Sequence, residues 1–182
     1  CTVKGFRAYG GKWRVEGGVL HAPAGPGFKL VADEPPLEDG EIDVEVLLPA
    51  AGPGNAGLIV KLSEPGVGAD RFNGYEVALD AAARCLRLGR HRQNFEPIRD
   101  VPCAVPLGRW IELVVRTRGR ALEILVGGEP LLRYEDNDHP LVSGGVALRP
   151  WQREARYRNL WISRSGLRKN IPLEAAPSEL DL

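Results

Sequence analysis

Methionine is missing from all 182 residues, and no excess charge of either sign is present. The 24 basic and 24 acidic side chains cancel, which removes the electrostatic footprint of a nucleic-acid or anionic-membrane binder. No apolar run is long enough to span a bilayer, and the opening residues are not expected to act as a signal peptide. The first residue is Cys1, so the expected reading is a piece excised from something longer, the alternative being the acylated cysteine of a lipoprotein. Cysteine is scarce, and its 3 copies form no CxxC or nearby Cys/His pair, which excludes a zinc motif. Cys85 and Cys103 are read either as a disulfide in an exported protein or as two buried free thiols. A nucleophile elbow, a phosphate loop and an HExxH site are also lacking.

Punctuation is abundant instead. The 22 glycines and 15 prolines are spread along the chain and separate short runs with period-two alternation. Residues 13–15 and 19–21 flank Gly17-Gly18, a hairpin signal. The clearest strand is 41–48, where Ile42, Val44, Val46 and Leu48 alternate with Glu41, Asp43 and Glu45. Residues 57–62 are nearly all apolar apart from Lys61, the pattern of a central strand covered on both faces. Further strands are expected at 28–31, 110–116, 122–126, 131–134, 144–151 and 156–163, with loops at 49–55, 63–73, 97–106 and 136–140. No stretch carries a sustained helical stripe. These runs imply an all-β, antiparallel two-sheet jelly-roll sandwich spanning residues 1–163. The tail, 164–182, loses the alternation and reads as a linker toward a following domain. Trp110 and Trp161 are assigned to the core or to sheet packing. Acidic residues crowd 33–45 and basic ones 149–169, and both are read as solvated faces or edge strands.

The richest polar gathering is the stretch 74–95, read as two strands joined at Ala81-Ala82-Ala83. Tyr75, Val77 and Leu79 form one row. The opposite, wet row holds Glu76 and Asp80, continued by Arg87 and His91 on the return strand and then by Asn94. Carboxylates, guanidinium and amide donors beside a flat aromatic surface are the groups that hold sugar hydroxyls and C–H faces. Trp151, just after Pro150, supplies such a surface. Glu76 and Asp80 are four residues apart on one strand face, about 13 Å, too far for a hydrolytic carboxyl pair.

The order of short motifs has a further implication. WRVEGGVL at residues 13–20, GLIVK at 57–61, GYEVALD at 74–80, GRWIEL at 108–113, GGVALRPW at 144–151 and YRNLWI at 157–162 occur in that sequence. Over roughly 10–163 this resembles the concanavalin A-like lectin/glucanase superfamily, and within it the laminin-G-like domains grouped with the 3-keto-disaccharide hydrolase family. The resemblance implies a concanavalin A-like sandwich with Lys61, Glu76 and Arg149 converging on one groove face. It also implies one of two activities. Some relatives cleave 3-keto-glycosides, and in that case Glu76 or His91 is the general acid or base. Others are non-catalytic carbohydrate-binding modules of glycoside hydrolases such as levanases and arabinofuranosidases. Hydrolase-like relatives carry Arg, Gln and a Gln/His pair where this chain has Lys61, Ala78 and Arg149 with Trp151. These departures favour binding.

The resulting expectation is a secreted, periplasmic or cell-surface carbohydrate-binding module without catalysis, linked covalently to a catalytic domain. It would recognise an oligo- or polysaccharide at the end of a plant-type glycan through Lys61, Glu76, Asp80, Arg87, His91, Asn94, Arg149 and Trp151. A cofactor is not expected, although the superfamily often holds a structural calcium that Asp70 or Asp138 could ligate. The duller alternative is an architectural sandwich with no ligand.

Overall fold

The alternating runs pair into two stacked sheets in a computed structural model that describes residues 2–177. Cys1 lies outside the described residues, as do Glu179 and Asp181 of the tail. Among the described residues fifteen strands form in chain order. They are β1 (Phe6–Tyr9), β2 (Arg14–Glu16), β3 (Val19–Ala22), β4 (Lys29–Ala32) and β5 (Gly40–Leu47). Next come β6 (Asn55–Ser63), β7 (Asn73–Asp80), β8 (Cys85–Arg92), β9 (Phe95–Pro102) and β10 (Ile111–Arg118). The last are β11 (Ala121–Val126), β12 (Glu129–Glu135), β13 (Gly145–Trp151), β14 (Ala155–Arg164) and β15 (Leu167–Ile171). One seven-stranded sheet has the order β1-β4-β13-β6-β7-β8-β9. The other, of eight strands, has the order β12-β11-β10-β5-β14-β3-β2, with β15 also pairing β14. All pairings are antiparallel, as expected for the sandwich.

The core lies between the sheets. Ile42, Val44 and Val46 of β5, with Leu113 and Val115 of β10, meet Leu58 of β6, Val77 and Leu79 of β7, and Leu86 of β8 in one buried cluster. Each such side chain contributes about 1.5–3 kcal/mol on leaving water. The Gly17-Gly18 hairpin forms as expected, with both glycines at positive φ (55° and 77°), the backbone of a tight turn matched to strand twist.

Four expectations are corrected. Residues 97–102 belong to β9 and not to a loop. The strand is the edge of its sheet, where Pro97 and Pro102 can leave a ladder position unfilled. Asn55 opens β6 and does not close a loop. Trp110 and Trp161 sit outside the core, half-buried under guanidinium groups: Arg158 lies 4.2 Å from the Trp110 ring centroid and Arg168 lies 4.0 Å from that of Trp161. Between the two readings of Cys85 and Cys103, the structure has free thiols, the first buried.

The fourth correction concerns the tail. Residues 167–171 form β15, in register with β14 from Leu160↔Ile171 to Arg164↔Leu167. Ile171 and Leu173 are buried, and the chain returns to the N-terminal segment through Lys4 N donating to Glu174 O and Ala176 N donating to Thr2 O. The sandwich thus extends past residue 163. Its last strand shows no alternation because Leu167 to Asn170 are all exposed. Ending the chain after Arg164 removes the burial of Ile171 and Leu173 together. A loss of about 3–6 kcal/mol is expected, read as a lower urea midpoint.

Candidate functional site

Alternation sends Tyr75, Val77 and Leu79 of β7 into the core, so Glu76 faces the outer side of the seven-stranded sheet. The same parity puts Arg87 and His91 of β8, Arg149 and Trp151 of β13, and Asn55 of β6 on that side. These six, with Phe95 at the start of β9 and Ala69-Asp70 from the preceding loop, line a cavity of about 280 Å³. The row was expected to be wet. It is largely covered: Glu76 is 5% exposed, His91 1% and Arg149 4%.

The cover is the loop between β6 and β7. Phe72 is fully buried and stacks on His91 with ring centroids 4.1 Å apart. Lys29 Nζ donates to Gly68 O at 2.6 Å, and Arg149 Nη2 donates to Ala69 O at 3.0 Å, so two buried cations on β4 and β13 hold the loop down by its carbonyls. Burial pushes the Lys29 ammonium down to about 8, aided by Arg149 and opposed by Asp70.

At the centre Arg149 Nη1 donates to Glu76 Oε1 at 2.5 Å, and His91 Nε2 lies 2.7 Å from Glu76 Oε2. Arg149 reaches across β6 to make this contact. It stands opposite Gly57, and Gly57 in turn stands opposite Ala78. A Cβ at Gly57 would fall 1.9 Å from Val77 O, so only glycine lets β6 approach β7 here. Burial raises the Glu76 carboxyl pKa, but Arg149, the His91 hydrogen bond and Arg87 outweigh burial and hold the group below its ordinary value. Glu76 is therefore a carboxylate at neutral pH, and His91 Nε2 is the donor to it. Among the described residues, three buried polar atoms at this cavity make no hydrogen bond: Arg149 Nε, Asn55 Oδ1 and His91 Nδ1, the last 3.5 Å from Asp70 Oδ1. Buried polar groups are nearly always satisfied, so each of these atoms calls for a water or a ligand atom.

Of the residues singled out in the sequence, Glu76, Arg87, His91, Arg149 and Trp151 come together at the cavity. Lys61, Asp80 and Asn94 do not line it. Lys61 sits in a β-bulge at φ 57°, which turns its side chain off the groove face. Its ammonium donates instead to Glu38 O, Gly119 O and Val142 O, tying three loops together. Asp80 accepts from Ala83 N at 2.9 Å and from Arg87 at 3.2 Å, capping the β7–β8 turn. Asn94 is exposed in the tight turn before β9. Sequence reasoning missed Asn55, Phe72 and Phe95, and it singled out Asp70 only as a possible calcium ligand. Asp70 Oδ1 stands 3.5 Å from His91 Nδ1 and Asp138 is taken up by Arg90, with no group of three potential metal ligands among the described residues.

Replacing Glu76 by Gln leaves Arg149 buried without its counter-charge, and a loss of about 3–5 kcal/mol is expected near neutral pH. The folded-state pKa of Glu76 lies below its unfolded value. Its contribution is thus complete above the ordinary carboxylate pKa and fades as pH falls through the folded value. The difference in urea midpoint between the wild type and Glu76→Gln should accordingly narrow on acidification.

With the geometry in view, comparison with known proteins is informative. The sequence pattern of the 3-keto-alpha-glucoside-1,2-lyase-like domain matches residues 2–163. The fold is that of the concanavalin A-like lectins and glucanases. It is shared with the carbohydrate-binding module CBM66 from Bacillus subtilis at TM-score 0.78 and 14% identity, over 89% of this chain and 97% of that one. A prokaryotic beta-1,3-1,4-glucanase (lichenase) from a mouse hindgut metagenome gives TM-score 0.63 and 12% identity, over 84% and 90% of the two chains. The exoplasmic/lumenal domain of VIP36, in its Ca2+/Man-bound form, gives TM-score 0.61 and 11% identity over 95% and 90%. Among curated protein sequences none matches the chain. The chain belongs to the 3-keto-alpha-glucoside-1,2-lyase-like domain family.

Proposed function

We propose that the chain is a non-catalytic carbohydrate-binding domain whose cavity takes one sugar residue at the end of a glycan. The three orphaned polar atoms carry this reading. Arg149 Nε needs an acceptor and Asn55 Oδ1 needs a donor, while His91 Nδ1 serves either way according to its protonation. A sugar hydroxyl is donor and acceptor at once, and a ring of hydroxyls suits such a mixed set. At about 280 Å³ the cavity lies at the lower end of small-molecule sites, the size for a single residue and not for a polymer segment. Its buried charges are matched, Glu76 by Arg149 and Arg87 by Asp80 and Asp100, and the half-exposed Asp70 at the rim stands 3.5 Å from His91 Nδ1, so a neutral ligand meets little uncompensated field inside. Trp151 and the exposed Phe95 on the rim offer faces to sugar C–H groups. On this reading the domain acts outside the cytoplasm, delivering a linked glycoside hydrolase of arabinofuranosidase or levanase type to plant glycans.

One observation favours a second reading. His91 gives Nε2 to Glu76, while its Nδ1 makes no hydrogen bond among the described residues and stands 3.5 Å from Asp70 Oδ1, the arrangement of a base oriented by a carboxylate. In a 3-keto-glycoside the ketone acidifies the C2 proton. Nδ1 would take that proton, a C1–C2 double bond would form and the C1–O bond would break, with a proton passing to the departing oxygen.

Calorimetric titration with fructan, arabinan and xylan oligosaccharides separates the two. Saturable binding to one of them, weakened about tenfold or more by Trp151→Ala and without turnover of a 3-keto disaccharide, is the expected result. Turnover that disappears in His91→Gln would establish the second reading instead. Failure of every saccharide to bind or react would overturn both.

A further inference from the structure

Arg156, one of the basic residues between 149 and 169, stands directly opposite His21 of β3, and His21 stands opposite Arg14 of β2. Leu20, Ala155 and Tyr157 are buried in the core, so this lateral row lies on the outer face of the eight-stranded sheet. Side chains opposed in this way have Cβ atoms about 4.5–5.5 Å apart, so two guanidiniums flank His21, and Arg14 Nη2 donates to His21 Nδ1 at 3.2 Å. The row lines a cleft of about 240 Å³ together with Lys12, Glu154 and the stiff rings of Pro23 and Pro49. Glu16 answers only part of the charge: it pairs with Arg14 at 3.2 Å and stands 3.7 Å from His21 Nε2. Among the described residues Lys12 and Arg156 have no side-chain hydrogen bond or ion pair. Nothing in the sugar cavity uses these groups, although Trp151 of that cavity and Glu154 of this cleft are three residues apart.

We propose that this cleft binds a compact oxyanion, a sulfate, phosphate or carboxylate group, held by Lys12 and Arg156 with Arg14 and His21 closing its sides. Two unpaired cations at one concave site form charge-assisted contacts with such a group without first breaking an internal pair. The anion would also offset the positive charge that Arg14 and Arg156 place on either side of His21. Burial, then Arg14 and Arg156, hold the His21 pKa below its ordinary value against the pull of Glu16 and Glu154. An anion in the cleft favours the imidazolium, so binding takes up a proton and strengthens as pH falls below the ordinary histidine range.

The test is an amide NMR titration with sodium sulfate, whose charge is constant over the range used, against sodium chloride at matched ionic strength. Saturable shifts confined to residues around 12–23 and 153–157 are expected with sulfate alone. Binding should be several-fold tighter at about pH 5.5 than at about pH 8. It should weaken about tenfold in Arg156→Gln, an exposed substitution that leaves the fold and any saccharide binding intact. Glucose 6-sulfate against glucose distinguishes a sugar-borne group from a free ion: stronger binding than inorganic sulfate assigns the site to a substituted glycan, and equal binding assigns it to the ion. Shifts that fail to saturate, are matched by chloride, or are unchanged in both Arg156→Gln and Lys12→Gln would overturn the proposal.

Discussion

The buried pair of Glu76 and Arg149 is the constraint on which the outer face of the seven-stranded sheet depends. Each ion alone would cost several kcal/mol to hold out of water, so neither strand can shift without exposing an unpaired charge. The pair fixes β13 against β7 across the intervening β6, and it requires glycine at 57 to let the strands close. Arg149 spends a second donor on Ala69 O, which brings down the loop that covers the site. One guanidinium therefore links sheet register, roof and cavity.

Strands β7 and β8 are clamped from the inside. Tyr75 donates to Asp136 at 2.5 Å, and Arg90 bonds Asp136, Asp138 and Glu96. Tyr75 and Arg90 are the chain neighbours of Glu76 and His91 and stand opposite one another in the β7–β8 ladder. Polar networks on both faces of one hairpin hold its register, and a register-true hairpin keeps the His91 ring against Glu76. The inner network is fully satisfied, while the outer one retains three orphan atoms. That contrast separates a structural cluster from a site: both are buried and charged, and only one is unfinished.

Much of the site was legible because a strand's period of two assigns side chains to faces without further information. Glu76, Arg87, His91 and Arg149 were placed on one face by that rule and the family resemblance, and they meet there. Lys61 obeyed the rule in sequence and escaped it in space, since a bulge adds a residue and rotates the side chains beyond it. Asp80 was on the correct strand but lies at a turn, where a carboxylate finds a backbone N–H within its own loop. Phe72 and Phe95 carried no signal, and Asp70 none for this cavity, because nothing local states where a long loop or an edge strand will lie.

The residues by themselves determined an antiparallel sandwich, its inner and outer rows, and a hairpin rich in sugar-type ligands, because alternation and turn chemistry are local properties. They also indicated the family through the order of short motifs. The tertiary structure alone decided that the outer row is roofed, that a 280 Å³ cavity remains beneath the roof, and that the last strand folds back past residue 163. It also brought Arg14, His21 and Arg156 into one row. Those outcomes depend on which distant strands become neighbours, and that is settled by the packing of the whole core.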